Sequence, residues 1–336
     1  MIQMDRQYYK KVMSAIGCTM LIFLLFFNVY GTSIAFLTVT LEFLPIGEIA
    51  YNVIYQLFYA IGYMATFMLP VLFLRLFLRR KGCIIEPMSF SLRLSPMLVP
   101  IVFAGVTVCF AMAQINTMIM DVFDYSDFVS DLMGETMGEM APYEIVLNFI
   151  VISVVPAFCE EFLFRGAILA NCRPFGRTNA VLISAVLFAL MHQNAGQLLY
   201  TFAAGVVLGL IYEYTGSIWN CTILHLFNNF ISIVQSIILA KYGNTVQAGA
   251  MLTIIEVAIY LLGAISIGIL VSRHFSKRQT LSNGAFEISA PASDSYAAHP
   301  VRGREAAKLF FCPSMIVFVA LAGAEMVLLL LLSLVM

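Results

Sequence analysis

The apolar residues of this chain come in runs too long for a water-soluble fold to bury. A helix needs about 20 successive apolar residues to cross a hydrocarbon core about 30 Å thick, and runs of that order recur from the N-terminal region to the C-terminus. The composition agrees: 61% of residues are hydrophobic, 11% are charged and the mean hydropathy is +0.93, whereas an ordinary soluble domain is about 25% charged. Hydrocarbon offers no water to satisfy backbone N–H and C=O groups, so such runs fold as helices. The expected fold class is all-α, a polytopic membrane helical bundle with about eight or nine transmembrane helices in a lipid bilayer.

Charged or turn-rich stretches divide the apolar sequence into nine segments near 13–41, 49–78, 97–119, 143–171, 179–195, 198–213, 217–240, 250–272 and 309–336. The fifth and sixth are short. The first is too long for a signal-peptide core and has no small-residue cleavage site close behind it, so it reads as a retained helix. Lys and Arg collect at Arg6, Lys10 and Lys11, at Arg79, Arg80, Lys81 and Arg93, at Arg173 and Arg177, and at Arg273, Lys277 and Arg278. With nine spans these groups fall on one side, which the positive-inside rule makes cytoplasmic. The expected placement is the cell (plasma) membrane with the N-terminus in the cytoplasm. The loop after the third span carries Asp121, Asp124, Asp127, Asp131, Glu135 and Glu139 without a basic residue, and it falls outside.

This divides the chain into residues 1–142 (N-terminal helices and acidic outer loop), a core at 143–240, a helix at 241–272, a polar cytoplasmic linker at 273–308 and a last helix at 309–336. The seven cysteines are odd in number and form no C-x-x-C pair, which reads as membrane packing and not as a disulfide frame or zinc knuckle. Residues 332–336 include no cysteine, so this C-terminus is not a prenylation site. There is no internal repeat, no phosphate-cradling glycine loop and no basic patch with interleaved aromatics, so nucleic acid is not an expected partner.

Ionisable side chains in the middle of a membrane helix cost at least about 2.5–3.5 kcal/mol and point to function. The fourth span contains Cys159-Glu160-Glu161-Phe162-Leu163-Phe164-Arg165, the fifth Phe188-Ala189-Leu190-Met191-His192, and the seventh His225-Leu226-Phe227-Asn228-Asn229. Glu161 and Arg165 are four apart and share a helix face, which leaves Glu160, turned by about 100°, to point elsewhere. His225 and Asn229 also project together. Pro156, one turn before Glu160, removes a backbone hydrogen bond and favours a kink. Helical rise places Glu160, His192, His225 and Asn229 about 12–20 Å from the cytoplasmic ends of their spans, close enough in depth to meet. A carboxylate held ionised there can take a proton from water attacking a carbonyl, and donors on His225 and Asn229 can hold the oxyanion. Taken singly, each residue also fits an interhelical hydrogen bond. Glu256 and Glu325 stand without a motif, and Gly205-x-x-x-Gly209 reads as a close-packing face.

Glu160-Glu161-x-x-x-Arg165, Phe188-x-x-x-His192 and His225-x-x-x-Asn229, in this order on successive membrane helices, resemble the signature of the CAAX protease and bacteriocin-processing (CPBP, or Abi) family, which includes the Ras-converting type II CAAX prenyl endopeptidase. The stretches Phe202–Gly209 and Tyr214–Trp219 are similar to the family's run into the last motif. The resemblance covers about residues 143–240. It implies an intramembrane endopeptidase acting on a membrane-associated peptide or lipidated protein, prenylated CAAX-type or bacteriocin-like. It also implies that Glu160 is the catalytic base, His192 orients the water, His225 and Asn229 form the oxyanion site, and Glu161 and Arg165 support them. The family includes members described as metalloproteases and a metal-free, glutamate-dependent view. Glu160, His192 and His225 would be a zinc set, but the compact H-E-x-x-H that fixes such ligands on one helix is missing, so the favoured reading requires no cofactor. Two other classes compete: a non-catalytic immunity or scaffold protein on the same fold, and an ion-coupled transporter, which lacks support in any repeated half or paired broken helices.

Overall fold

The computed structural model describes residues 6–92, 95–122, 142–282 and 304–333. The acidic residues from Asp124 to Glu139, Arg93 and linker residues 283–303 lie outside the described residues. Among the described residues there are helices and no strands. Helix α1 is Arg6–Glu42, α2 Glu48–Arg80 and α3 Leu98–Asp121. A composite rod, α4, covers 142–172; α5 is Arg177–Met191, α6 Leu198–Thr215, α7 Ile218–Tyr242 and α8 Val246–Ser282. Two C-terminal helices follow, α9 at Arg304–Phe310 and α10 at Pro313–Ser333.

Eight of these segments are long and apolar enough to cross a membrane. The ninth apolar helix, α5, has 15 residues, too few for a full crossing at about 1.5 Å per residue. It also stops earlier than the segment near 179–195. His192 caps it, Gln193 takes a positive φ of 51°, and the Asn194 side chain accepts from the Gly196 N–H at 2.8 Å. A non-glycine residue in the left-handed region ends helical propagation, and an Asn cap starts a new turn.

The C-terminal part differs from the expected segments. α8 continues to Ser282, ten residues past 272, and the chain from 304 to 310 is a short helix separate from the last long one. That last helix begins at Pro313 because proline lacks the N–H that a first helical turn leaves unpaired and its ring presets the helical φ.

The helices pack as membrane helices do, through small residues and hydroxyls. α5 and α6 meet where a Cβ built on Gly205 would stand 2.8 Å from the Cα of Ala185, and one on Gly209 3.0 Å from Val181. α3 and α8 meet at Gly263, where the Thr107 hydroxyl reaches the Ile259 carbonyl at 3.0 Å. α1 and α10 meet at Gly17, against Ser314, whose hydroxyl donates to the Ser14 carbonyl at 3.1 Å. Large apolar side chains such as Phe36, Ile254 and Leu261 face outward, as a bundle solvated by lipid requires.

The α5–α6 contact sets a test. Gly205→Val is expected to lower the melting temperature of the detergent-purified protein, since overpacking of this kind costs about 1–3 kcal/mol. Gly323→Ala, where a Cβ meets no atom within 4 Å, should leave it unchanged or raise it. Wild-type melting of Gly205→Val would show that the two backbones are not in close contact.

Candidate active site within the bundle

The site is built on an irregular helix. Within α4, Phe149–Val154 and Phe162–Leu169 are π-helical, and the α-helical stretch Val155–Glu161 with Pro156 in its first turn lies between them. Proline deprives the preceding turn of one N–H donor, and wider i→i+5 turns accommodate such a break, often at functional sites. The two adjacent glutamates emerge from the α-helical stretch in different directions.

Glu161 turns into the core. Its Oε1 accepts from the Arg165 guanidinium at 2.9 Å, and both side chains are fully buried. Arg165 also donates to the Gly205 carbonyl at 3.1 Å, and its guanidinium lies 4.6 Å from the centroid of the Phe188 ring. Nδ1 of His225 is 2.9 Å from the same Glu161 oxygen. The oxygen that accepts from Arg165 is the one that faces Nδ1, so the imidazole nitrogen is the donor in this contact.

Glu160 turns the other way. Its Oε1 accepts from the Tyr63 hydroxyl of α2 at 2.5 Å. Its Oε2 is buried without a hydrogen-bond partner among the described residues and lies 3.8 Å from Nε2 of His225. The His225 ring thus stands between the two glutamates, with one nitrogen bound to Glu161 and the other facing the open oxygen of Glu160.

Phe188 and His192 belong to one device. The Phe188 carbonyl accepts from Nδ1 of His192 at 2.8 Å, which leaves Nε2 of the neutral ring as an acceptor. The Phe188 ring packs against His192 at 5.0 Å and His225 at 5.9 Å between centroids. The four-residue spacing therefore links a backbone carbonyl to the ring that follows it, while the aromatic ring holds Arg165 and His225 in place.

A cavity of about 740 Å³ borders this cluster, with Tyr63, Pro156, His192, His225, Asn228 and Asn229 among its walls. Asn228 donates to the Tyr200 hydroxyl at 2.5 Å. Asn229 is half-buried, and among the described residues no hydrogen bond restrains its side chain. The structure thus places His192, His225 and Asn229 on the cavity wall, with Glu160 next to His225 but not itself on that wall, and with Glu161 and Arg165 behind His225.

The zinc alternative requires three ligands at one point. Among the described residues no group of three His, Cys, Asp or Glu side chains is arranged to hold a metal ion. His225 donates from Nδ1 to Glu161, a contact that a metal-ligating imidazole also makes, so only the spacing of the donor groups speaks against a metal centre.

Tyr63, Tyr200 and Asn228 were not singled out by the sequence reading. For Tyr63 a signal exists: Tyr51, Tyr55, Tyr59, Tyr63 and Phe67 recur every four residues and so form one stripe along α2. In the structure the stripe is a stacked column, with centroids 6.2 Å apart for Tyr59–Tyr63 and 4.8 Å for Tyr63–Phe67, and Tyr59 and Tyr63 both reach the cavity.

Comparison with known proteins concerns this same part of the chain. Residues 142–231 match the family described as type II CAAX prenyl endopeptidase Rce1-like. The Bacillus subtilis (strain 168) protein named "Putative membrane peptidase YdiL" is 35% identical over 95 residues, which cover 27% of this chain and 38% of that protein. The chain thus aligns with well under half of that relative's length. No solved structure matches. The matched segment contains Glu160, Glu161, Arg165, His192, His225, Asn228 and Asn229, so the part of this polytopic membrane protein that is similar to the type II CAAX prenyl endopeptidase Rce1-like family is the part that carries the buried polar cluster.

Proposed function

We propose that this chain is an intramembrane endopeptidase in which Glu160 activates water for peptide-bond hydrolysis. The observation that carries the reading is the split environment of Glu160. Tyr63 holds one oxygen, while the other is buried, without a hydrogen-bond partner among the described residues, and directed toward His225, which is itself a wall of a cavity large enough for a peptide segment.

The chemistry follows from that arrangement. Oε2 of Glu160 takes a proton from water, and the water oxygen bonds to the scissile carbonyl carbon as the carbonyl electron pair moves onto its oxygen. His192, with Nδ1 bound to its own helix, offers Nε2 to the second O–H and aims the nucleophile. The oxyanion is met by the Asn229 amide and by His225. Because Nδ1 of His225 already donates to Glu161, Nε2 meets the oxyanion as a donor when the ring carries a proton on both nitrogens. Glu160 then passes its proton to the departing amide nitrogen as the C–N bond breaks, leaving a carboxylic acid and an amine. Glu161 and Arg165 are positioning residues, acting through His225.

No metal enters this sequence of steps. The substrate is a membrane-associated peptide, either a lipidated C-terminus of the CAAX type or a peptide without lipid. The placement that goes with this reading is the cell membrane with the N-terminus in the cytoplasm.

Three measurements test it. Glu160→Gln in purified protein should reduce cleavage of a peptide substrate by about 10²–10⁴-fold, the contribution of a positioned base, with unchanged melting; retained cleavage would remove Glu160 as the base. Tyr63→Phe deletes a hydrogen bond to a charged group worth about 1.5–3 kcal/mol, so kcat should fall by about ten- to a hundredfold with little change in KM. A KM effect alone would make Tyr63 a substrate contact. Chelator treatment with elemental analysis should leave full activity and no bound metal; activity lost to chelator and restored by zinc would replace the metal-free mechanism.

A further inference from the structure

The cavity walls all run in one direction. Along α7 the lining side chains step from His225 through Asn229 and Ser232 to Ser236, and along α3 from Cys109 to Thr117. On α4 they step back from Pro156 to Asn148. In each case they leave the site toward the helix end remote from Arg79, Arg80, Arg173 and Arg177. The eleven steps from His225 to Ser236 amount to about 16 Å of α-helix, a passage long enough to connect a mid-membrane site with one surface.

Toward the basic ends the structure is closed. Phe164, Arg165, Leu169 and Tyr212 are buried there. Arg173 pairs with Glu213 at 2.7 Å and lies 4.9 Å from the centroid of the Tyr212 ring. Among the described residues no Lys, Arg, Asp or Glu lines the cavity. Its outer part offers neutral polar groups, Thr117, Asn148 and Ser236, beside apolar ones such as Ile237. Such a wall hydrogen-bonds a peptide backbone but leaves a charged side chain without a counter-ion.

We propose that the site is entered from the face opposite the basic residues. Because basic flanks stay in the cytoplasm, this is the extracytoplasmic face, and the segment taken in is an uncharged stretch of peptide presented there. A lipidated C-terminus offered from the cytoplasm would meet the closed end. The substrate class rests on the hydrolytic reading above; the direction of entry does not.

The test uses the full-length protein in sealed right-side-out membrane vesicles, with a membrane-impermeant maleimide added outside and the wild type as the blank for native cysteines. Ser236→Cys and Thr117→Cys report on the proposed mouth by two separate helices, and Arg177→Cys reports on the basic end. Expected is modification of both mouth cysteines in intact vesicles and of Arg177→Cys only after permeabilisation. An uncharged peptide added outside should protect Ser236→Cys. Modification of the mouth cysteines only after permeabilisation, or protection only by a lipidated peptide supplied inside, overturns the proposal. Labelling in a Glu160→Gln background should be the same. Normal labelling with no hydrolysis by the wild type would therefore remove the protease reading and leave the direction of entry standing.

Discussion

A buried charge cluster organises the centre of this bundle. Glu161 and Arg165 are fully enclosed, and an unpaired charge at such depth is costly enough that breaking a buried pair typically loses about 3–5 kcal/mol. The cost is met in part by multiple partners: Arg165 has Glu161, the Gly205 carbonyl and the face of Phe188, while Glu161 has Arg165 and His225; Oε2 of Glu161 and Nε of Arg165 are buried without a hydrogen-bond partner among the described residues. These contacts draw on α4, α5, α6 and α7. The ion pair thus ties four helices together at one level, alongside single polar contacts such as that of the Ser184 hydroxyl with the Phe164 carbonyl and that of Asn228 with Tyr200.

That register is what makes Glu160 available. Its neighbour in sequence is spent on structure, so the second carboxylate need not carry the fold. With Tyr63 on one oxygen and no hydrogen-bond partner on the other among the described residues, Glu160 has a fixed orientation and one open oxygen. The same cluster determines which His225 nitrogen points at it. A loosened ion pair would let His225 turn, and the spacing between Nε2 and Oε2 would no longer be defined.

Much of the architecture was legible before any coordinates. The apolar runs alone predicted helices at nearly the observed positions, and the four-residue spacings of Glu161–Arg165 and His225–Asn229 paired residues that lie together on their helices. What local pattern missed has identifiable causes. The fifth helix ends at Met191 because of a backbone conformation at Gln193, which no periodicity reports. The π-helical turns flanking Val155–Glu161 alter how side chains are aimed, whereas projection from sequence assumes α-helical geometry throughout. Tyr63 lies 97 positions before the residue it binds, and its aromatic stripe reads equally well as a lipid-facing column.

The sequence by itself determined that the chain is a membrane helical bundle and which polar residues it places at depth, because hydrocarbon permits helices and penalises every stray charge. Only the tertiary structure decided that Glu161 also binds His225, that Tyr63 holds Glu160, and that His192, His225 and Asn229 face one cavity. Those outcomes depend on how helices distant in sequence approach one another at Gly205, Phe188 and Pro156. Spacing along one helix says which residues share a face; it does not say what that face meets.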